Sequence, residues 1–176
     1  MLYYRHYEGH THKNKQTAGG CCECNNHAYW GGASKMITAV TDKDERDWAE
    51  MCAALWKENT AEQMLAERAN GTLPNEFLYY ADGTPAAFIS LSLRHDYVEG
   101  TESSPVGYLE AIYVKPAFRG QGIARQLVEF GKSWAKGRGC SEFASDCELH
   151  NQASRQFHQK IGFTEANQII CFTMKI

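Results

Sequence analysis

One short run of this chain carries an apolar strand into a glycine-rich turn and then into a helix: Tyr108-Leu-Glu-Ala-Ile-Tyr-Val-Lys-Pro-Ala-Phe-Arg-Gly-Gln-Gly-Ile-Ala124. The start of a helix offers unpaired backbone N–H groups and the positive end of its dipole, which together seat a phosphate. Gly120 and Gly122 permit close approach of the backbone and a positive φ. Arg119 adds a charged donor, and Gln121, Ile123 and Ala124 complete the turn. A Walker loop is ruled out, because no Gly-Lys-Ser or Gly-Lys-Thr stands four residues after a glycine. A dinucleotide fingerprint fails at Arg125, where its third glycine belongs. The glycines alone fit an ordinary strand-to-helix turn equally well.

Two carboxylates lie near that run. Glu110 interrupts the apolar strand itself, and a charge placed there needs a partner or a ligand. Asp146 follows a short strand, Phe143-Ala-Ser145. Most isolated carboxylates are solvated surface groups, so Asp146 has no claim on function by its type alone.

The elements that must position these groups follow from periodicity. Met36 to Val40 reads as a first strand. Thr41, with Asp44 three residues on, reads as the N-cap of a helix with Trp48, Met51, Cys52, Leu55 and Trp56 on its apolar positions. A second helix over 61–69 ends at Asn70-Gly71. Strands over 77–81 and 85–93 flank Asp82-Gly83, a hairpin signal, and a polar loop spans 95–104. The strand over 106–114 leads to a helix over 122–136, with Ile123, Leu127, Phe130 and Trp134 on one face. A strand over 143–145, a helix over 154–161 and a closing apolar strand over 169–174 complete an α/β fold with a mixed sheet.

The chain has 176 residues, enough for one domain with its own core. An apolar share of 43% against 22% charged is that of a globular protein. No run of eighteen apolar residues and no secretory signal is present, so the expected address is the cytoplasm, without a membrane. Residues 1–35 differ in character: they hold four basic side chains (Arg5, Lys13, Lys15, Lys35), two acidic ones (Glu8, Glu23), and no apolar periodicity. That leaves 14 of the 18 basic and 19 of the 21 acidic residues for the remainder. A domain so balanced attracts cations rather than nucleic acid. The first 35 residues are expected to be a disordered extension, with the domain beginning at Met36. His10, His12, Cys21, Cys22, Cys24 and His27 lack the paired spacing of a zinc site, so no metal is expected. The dispersed Cys52, Cys140, Cys147 and Cys171 read as small buried apolar groups rather than disulfides.

The run Arg119-x-x-Gly122-x-Ala124, behind a strand ending Val114-x-Pro116, resembles the acetyl-CoA signature of the GNAT superfamily. The resemblance implies a GNAT acyltransferase fold, with a mixed, mostly antiparallel sheet flanked by helices. It implies that the loop Arg119, Gly120, Gln121, Gly122, Ile123 and Ala124 holds the pyrophosphate of coenzyme A. The backbone of Ile112, Tyr113 and Val114 would then bond the pantetheine arm. Asn151-x-x-Ser154 and Gly162-Phe163 resemble a later motif, whose asparagine contacts the cofactor.

Arg94-His-Asp-Tyr-Val98, Ser103-Ser-Pro105, Leu109-Glu110, Ala144-Ser-Asp146 and His158-Gln-Lys-Ile-Gly-Phe163 are together similar to the aminoglycoside 6'-N-acetyltransferases. That likeness runs from about Met36 to the C-terminus. It implies that Trp56 and Tyr97 wall the drug site, while Glu110 and Asp146 grip the cationic amino sugar. The chemistry is consistent, since carboxylates orient a polycation and aromatic faces pack on sugars or meet ammonium groups. For Trp56 and Tyr97, plain core packing is the competing account.

In the implied reaction the amine attacks the acetyl thioester, with Glu110 accepting its proton and Asp146 holding the substrate. The N–H of Ile112 would stabilise the oxyanion. Two positions depart from the family pattern. His158 stands where many members carry a tyrosine that protonates the leaving thiolate; it does that work, or solvent does, or it packs the helix. Asn167 stands where an acidic substrate contact is expected, and still offers a hydrogen bond. The alternatives are a GNAT enzyme acting on a polyamine, another small amine or a protein N-terminus, and a non-catalytic acyl-CoA-binding regulator. The resemblance also implies a homodimer joined through the C-terminal strands.

Overall fold

The structure, a computed structural model, describes residues 35–71 and 75–176. The expected extension and its histidine–cysteine cluster therefore lie outside the described residues, except for Lys35. Five strands form one sheet in the order β1 (Lys35–Ala39), β2 (Asn75–Ala81), β3 (Thr84–Arg94), β4 (Val106–Val114) and β5 (Phe143–Ser145). The first three pairings are antiparallel, and β4 with β5 is parallel. The sheet is mixed and mostly antiparallel, as the sequence leads one to expect.

Helices α1 (Glu45–Leu55) and α2 (Ala61–Ala69) cover one face. They enclose Trp48, Met51, Cys52, Leu55, Trp56 and Met64 against Leu78, Phe88 and Ala111. Helix α3 (Ile123–Lys136) covers the other, packing Ile123, Leu127, Val128 and Trp134 on Ile89, Leu91 and Leu109, and α4 (Gln152–Ile161) adds Phe157 and Ile161 to that layer. Each fully buried side chain of the size of Leu127 contributes about 1.5–3 kcal/mol. α3 lies close to the sheet because Gly131 faces Phe143 and Leu91, where an added Cβ would come within 2.9 Å of the Phe143 ring.

Local signals explain most boundaries. Asp82 and Gly83 both take positive φ (49° and 75°), the conformation a two-residue hairpin turn requires. Thr60 and Gln63 form a reciprocal capping box at the start of α2. At α1 the expectation needs correction. Asp44 reaches back to the Thr41 N–H at 2.6 Å, but a turn over 42–44 intervenes and the helix begins at Glu45.

The expected strand over 169–174 is absent: residues 163–176 carry no regular secondary structure. Ile169, Ile170, Phe172 and Met174 are exposed. An apolar period alone does not make a strand, which needs a neighbour to bond its backbone. The cysteines also divide: Cys52 and Cys140 are buried, Cys147 is half-buried and Cys171 is exposed, all as free thiols.

Candidate active site

The pairing of β3 with β4 slips by one residue where Ser90 faces Ala111 and Leu91 faces Leu109, leaving Glu110 unpaired in a bulge. The extra residue changes the alternation. Leu109 and Ile112 both pack on the α3 layer, while Ala111 joins the α1–α2 layer. Glu110 turns toward β3, away from the α3 layer, where Ser92 Oγ donates to it at 2.5 Å and Arg94 reaches it at 2.9 Å. The partner that a charge in an apolar strand demanded is thus Arg94.

Arg94 does more than pair. Its guanidinium stacks on Tyr108, 3.3 Å from the ring centroid. The Tyr108 hydroxyl donates to Asp146 Oδ1 at 2.8 Å. Burial raises the Tyr108 pKa, with the Asp146 charge adding to it, so the phenol keeps its proton and remains a donor. Glu110 and Asp146, 36 positions apart, are joined through Arg94 and Tyr108. Sequence reasoning did not assign roles to Ser92, Arg94 or Tyr108. The period-two spacing of Ser92 and Arg94 at the end of β3, and of Tyr108 and Glu110 on β4, was the available signal.

The glycine-rich turn, expected to seat a phosphate, is built as its residues require. Gly120 and Gly122 have φ of 77° and 75°, and a Cβ at either meets nothing within 4 Å, so the space outside the loop is open to a ligand. Gly122 caps α3, and buried Ile123 anchors its first turn to the core. Arg119 bonds the Val114 carbonyl at 3.0 Å, and Gln121 bonds Ala117. Arg125, in the place of a third glycine, ties α3 to the Lys160 carbonyl at the end of α4.

β5 pairs only with residues 107–109 of β4, so the strands part before Ile112, Tyr113 and Val114. Those three residues lie on the stretch of β4 that continues toward the loop paired with β3 alone.

Asn151 caps α4, its side chain accepting from the Ser154 N–H at 3.1 Å. His158 is held from two sides, Nδ1 lying 2.7 Å from the Ser154 carbonyl and Nε2 3.1 Å from Ser145 Oγ. A carbonyl only accepts, so in the neutral ring the proton sits on Nδ1 and Nε2 is an acceptor. Burial lowers the His158 pKa, which favours that neutral ring. A neutral His158 has no proton at Nε2 to give, which weighs against its acting as the acid.

The two aromatic positions separate. Tyr97 is 79% exposed on the β3–β4 loop. Trp56 is 4% exposed, packed 6.3 Å from Phe88 in the core. For Trp56 core packing is the correct account: α1 ends at Leu55, and the extended backbone at Trp56 turns the indole onto the sheet. Asn167 donates to Glu99 Oε1 at 2.8 Å, and the Tyr97 hydroxyl donates to Glu99 Oε2 at 2.9 Å. Glu99 is a residue the sequence reading passed over. Among the described residues no cluster of His, Cys, Asp and Glu could hold a metal ion.

The family model described as Acetyltransferase (GNAT) family matches residues 37–163. The chain belongs to the GNAT acetyltransferase family. Among GNAT relatives, an aminoglycoside N(6')-acetyltransferase type 1 from Acinetobacter haemolyticus is 38% identical over 146 residues, covering 80% of this chain and 98% of the relative. One from Stenotrophomonas maltophilia is 35% identical, covering 82% and 95%. A crystal structure of an aminoglycoside antibiotic 6'-N-acetyltransferase from Acinetobacter haemolyticus superposes with a TM-score of 0.74 at 37% identity, over 80% of this chain and 98% of that one. Another GNAT structure, also at 0.74, is 33% identical over 82% of this chain and all of that one, and holds a bisubstrate analogue, CoA-S-monomethyl-acetylneamine.

Proposed function

We propose that this enzyme transfers the acetyl group of acetyl-CoA to the 6'-amino group of aminoglycoside antibiotics, and so confers resistance. The observation that carries the reading is Glu110, on the strand that leads into the phosphate-seating turn, joined through Arg94 and Tyr108 to Asp146 just past β5. The similarity to aminoglycoside 6'-acetyltransferases along nearly their whole length supports it.

Acetyl-CoA supplies the thioester. Backbone N–H groups at Gly122 to Ala124, with Arg119, hold its pyrophosphate, and Gln121 orders the turn. Ile112, Tyr113 and Val114 bond the pantetheine arm, and Asn151 closes the far side. Asp146 and Tyr97 hold the cationic drug, Asn167 bonds it, and Glu110 takes the proton that the attacking amine sheds. The Ile112 N–H receives the developing oxyanion. The thiolate leaves with solvent help, since His158 presents no proton at Nε2. Gathering both reactants in one cleft supplies much of the acceleration.

The enzyme works as a homodimer in the cytoplasm. The exposed apolar side chains of Ile169, Ile170, Phe172 and Met174 need cover. An open cleft lined by Val128, Ala135, Cys140, Phe143 and Phe163 offers a seat for a second copy's C-terminal segment. Free thiols at all four described cysteines suit a reducing compartment. Light scattering that shows a monomer would remove the dimer.

A thiol-release assay with acetyl-CoA and kanamycin, tobramycin, spermidine or a short peptide tests the activity. Release is expected with drugs bearing a 6'-amino group and not with 6'-hydroxyl analogues. Release only with spermidine or peptide would replace the acceptor, and coenzyme A binding without turnover would indicate a regulator.

A further inference from the structure

We infer that Glu99 sets acceptor specificity by supplying the negative charge that position 167 lacks, meeting a substrate ammonium group from the β3–β4 loop. The inference rests on the aminoglycoside reading above. Glu99 is exposed, and its two carboxylate oxygens accept from Asn167 Nδ2 at 2.8 Å and from the Tyr97 hydroxyl at 2.9 Å. Both partners are donors only in these bonds, so they orient the carboxylate and leave its charge uncompensated. Neither bond is an ion pair, and no basic side chain forms a salt bridge with Glu99 among the described residues.

Packing anchors the loop that carries Glu99. Val98, between Tyr97 and Glu99, is buried with Val106, Tyr108 and Ala144. Tyr108 is the residue whose hydroxyl bonds Asp146. Gly100 lies so close to Ala166 that an added Cβ would come within 2.3 Å of the alanine methyl. The loop is thus pinned on one side to the strand that carries Glu110 and on the other to the segment that carries Asn167. Glu142 fixes its far end, accepting from the backbone N–H groups of Glu102 and Ser103 at 2.9 and 2.7 Å. A carboxylate on so anchored a loop is presented at low ordering cost. The bonds from Asn167 and Tyr97 also hold the Glu99 carboxyl below its ordinary range, so it stays charged throughout the working pH range.

Steady-state kinetics of Glu99→Gln with kanamycin and tobramycin test this. An exposed pair is worth little individually, so the drug KM should rise about three- to five-fold, with kcat and the KM for acetyl-CoA near wild type. The gap should narrow as salt is added. A second variant moves the charge across the same hydrogen bond: Glu99→Asn with Asn167→Glu should return the drug KM to within about two-fold of wild type. Wild-type turnover with an unchanged KM in Glu99→Gln would overturn this inference and leave the activity standing, as would a double variant that fails to recover. Absence of wild-type turnover with any aminoglycoside would overturn the activity and this inference together.

Discussion

Arg94 lies over the ring of Tyr108, 3.3 Å from its centroid, while its Nη2 is 2.9 Å from Glu110 Oε2. One planar cation thus touches the residue proposed to take the substrate's proton and the residue that steadies Asp146. The flat guanidinium can stack and fork at once, which an ammonium cannot. Glu110 is held in place by this contact and by Ser92 before any substrate arrives.

Glu110→Gln keeps the shape of the side chain and removes the base. General-base participation contributes roughly 10²–10⁴-fold, so kcat should fall by about two orders of magnitude or more while coenzyme A affinity, read by calorimetry, is retained. Arg94→Lys should also lower kcat, since it keeps the charge and loses the stack. Full activity in Glu110→Gln would mean that solvent takes the proton.

Gly122→Ala probes the turn. Its φ of 75° is unfavourable for a side chain, and an added methyl would point into open space rather than into protein. The expected result is a modest stability loss of about 1 kcal/mol, together with a larger rise in the KM for acetyl-CoA. A loss of stability with unchanged KM would show that the space outside Gly122 is not the cofactor's.

His158 separates packing from proton donation. Replacement by alanine should lower Tm, because it leaves a gap beside Phe157 and Phe163, yet it should leave the basic limb of the kcat–pH profile in place. Because burial lowers its pKa, the unfolded chain binds the proton more readily. Its contribution to stability is therefore present above the unfolded pKa and lost as pH falls through the lowered one. A kcat collapse with a displaced basic limb would restore His158 as the acid.

Glu76 gives a pH dependence of the opposite sense. It is buried, accepts from Trp48 Nε1 at 2.9 Å and Ser90 Oγ at 2.5 Å, and burial pushes its pKa up to about 7. The folded state then keeps a proton that the unfolded chain has already released. Stability should fall as pH rises from the ordinary carboxyl pKa toward 7 and level off above it. Thermal melts of Glu76→Gln, which keeps a hydrogen-bonding group there, should lack that part of the decline. Parallel pH profiles for the two proteins would show that Glu76 is not its source.

What the sequence determined by itself is local. Residues 108–124 spell strand, turn and helix in order, because alternation, glycine and helical period act over a few positions. The β4 strand, the helix that follows it and the Asp82-Gly83 hairpin were legible for that reason. So was the demand that Glu110 have a partner. Which partner it has was decided by tertiary structure, because the bulge opposite Ser90 and Leu91 turns Glu110 toward Arg94, and register is a property of two strands together. Trp56 shows the same limit. Its position at the end of α1 suits a wall or a core equally, and only the backbone turn at that residue sends the indole inward. Glu99 and Asn167 are 68 residues apart and carry no shared pattern, and the packing of Gly100 on Ala166 brings them into contact. The C-terminal apolar residues mark the reverse case: their period is plain in the sequence, but a strand forms only where a neighbour supplies its hydrogen bonds.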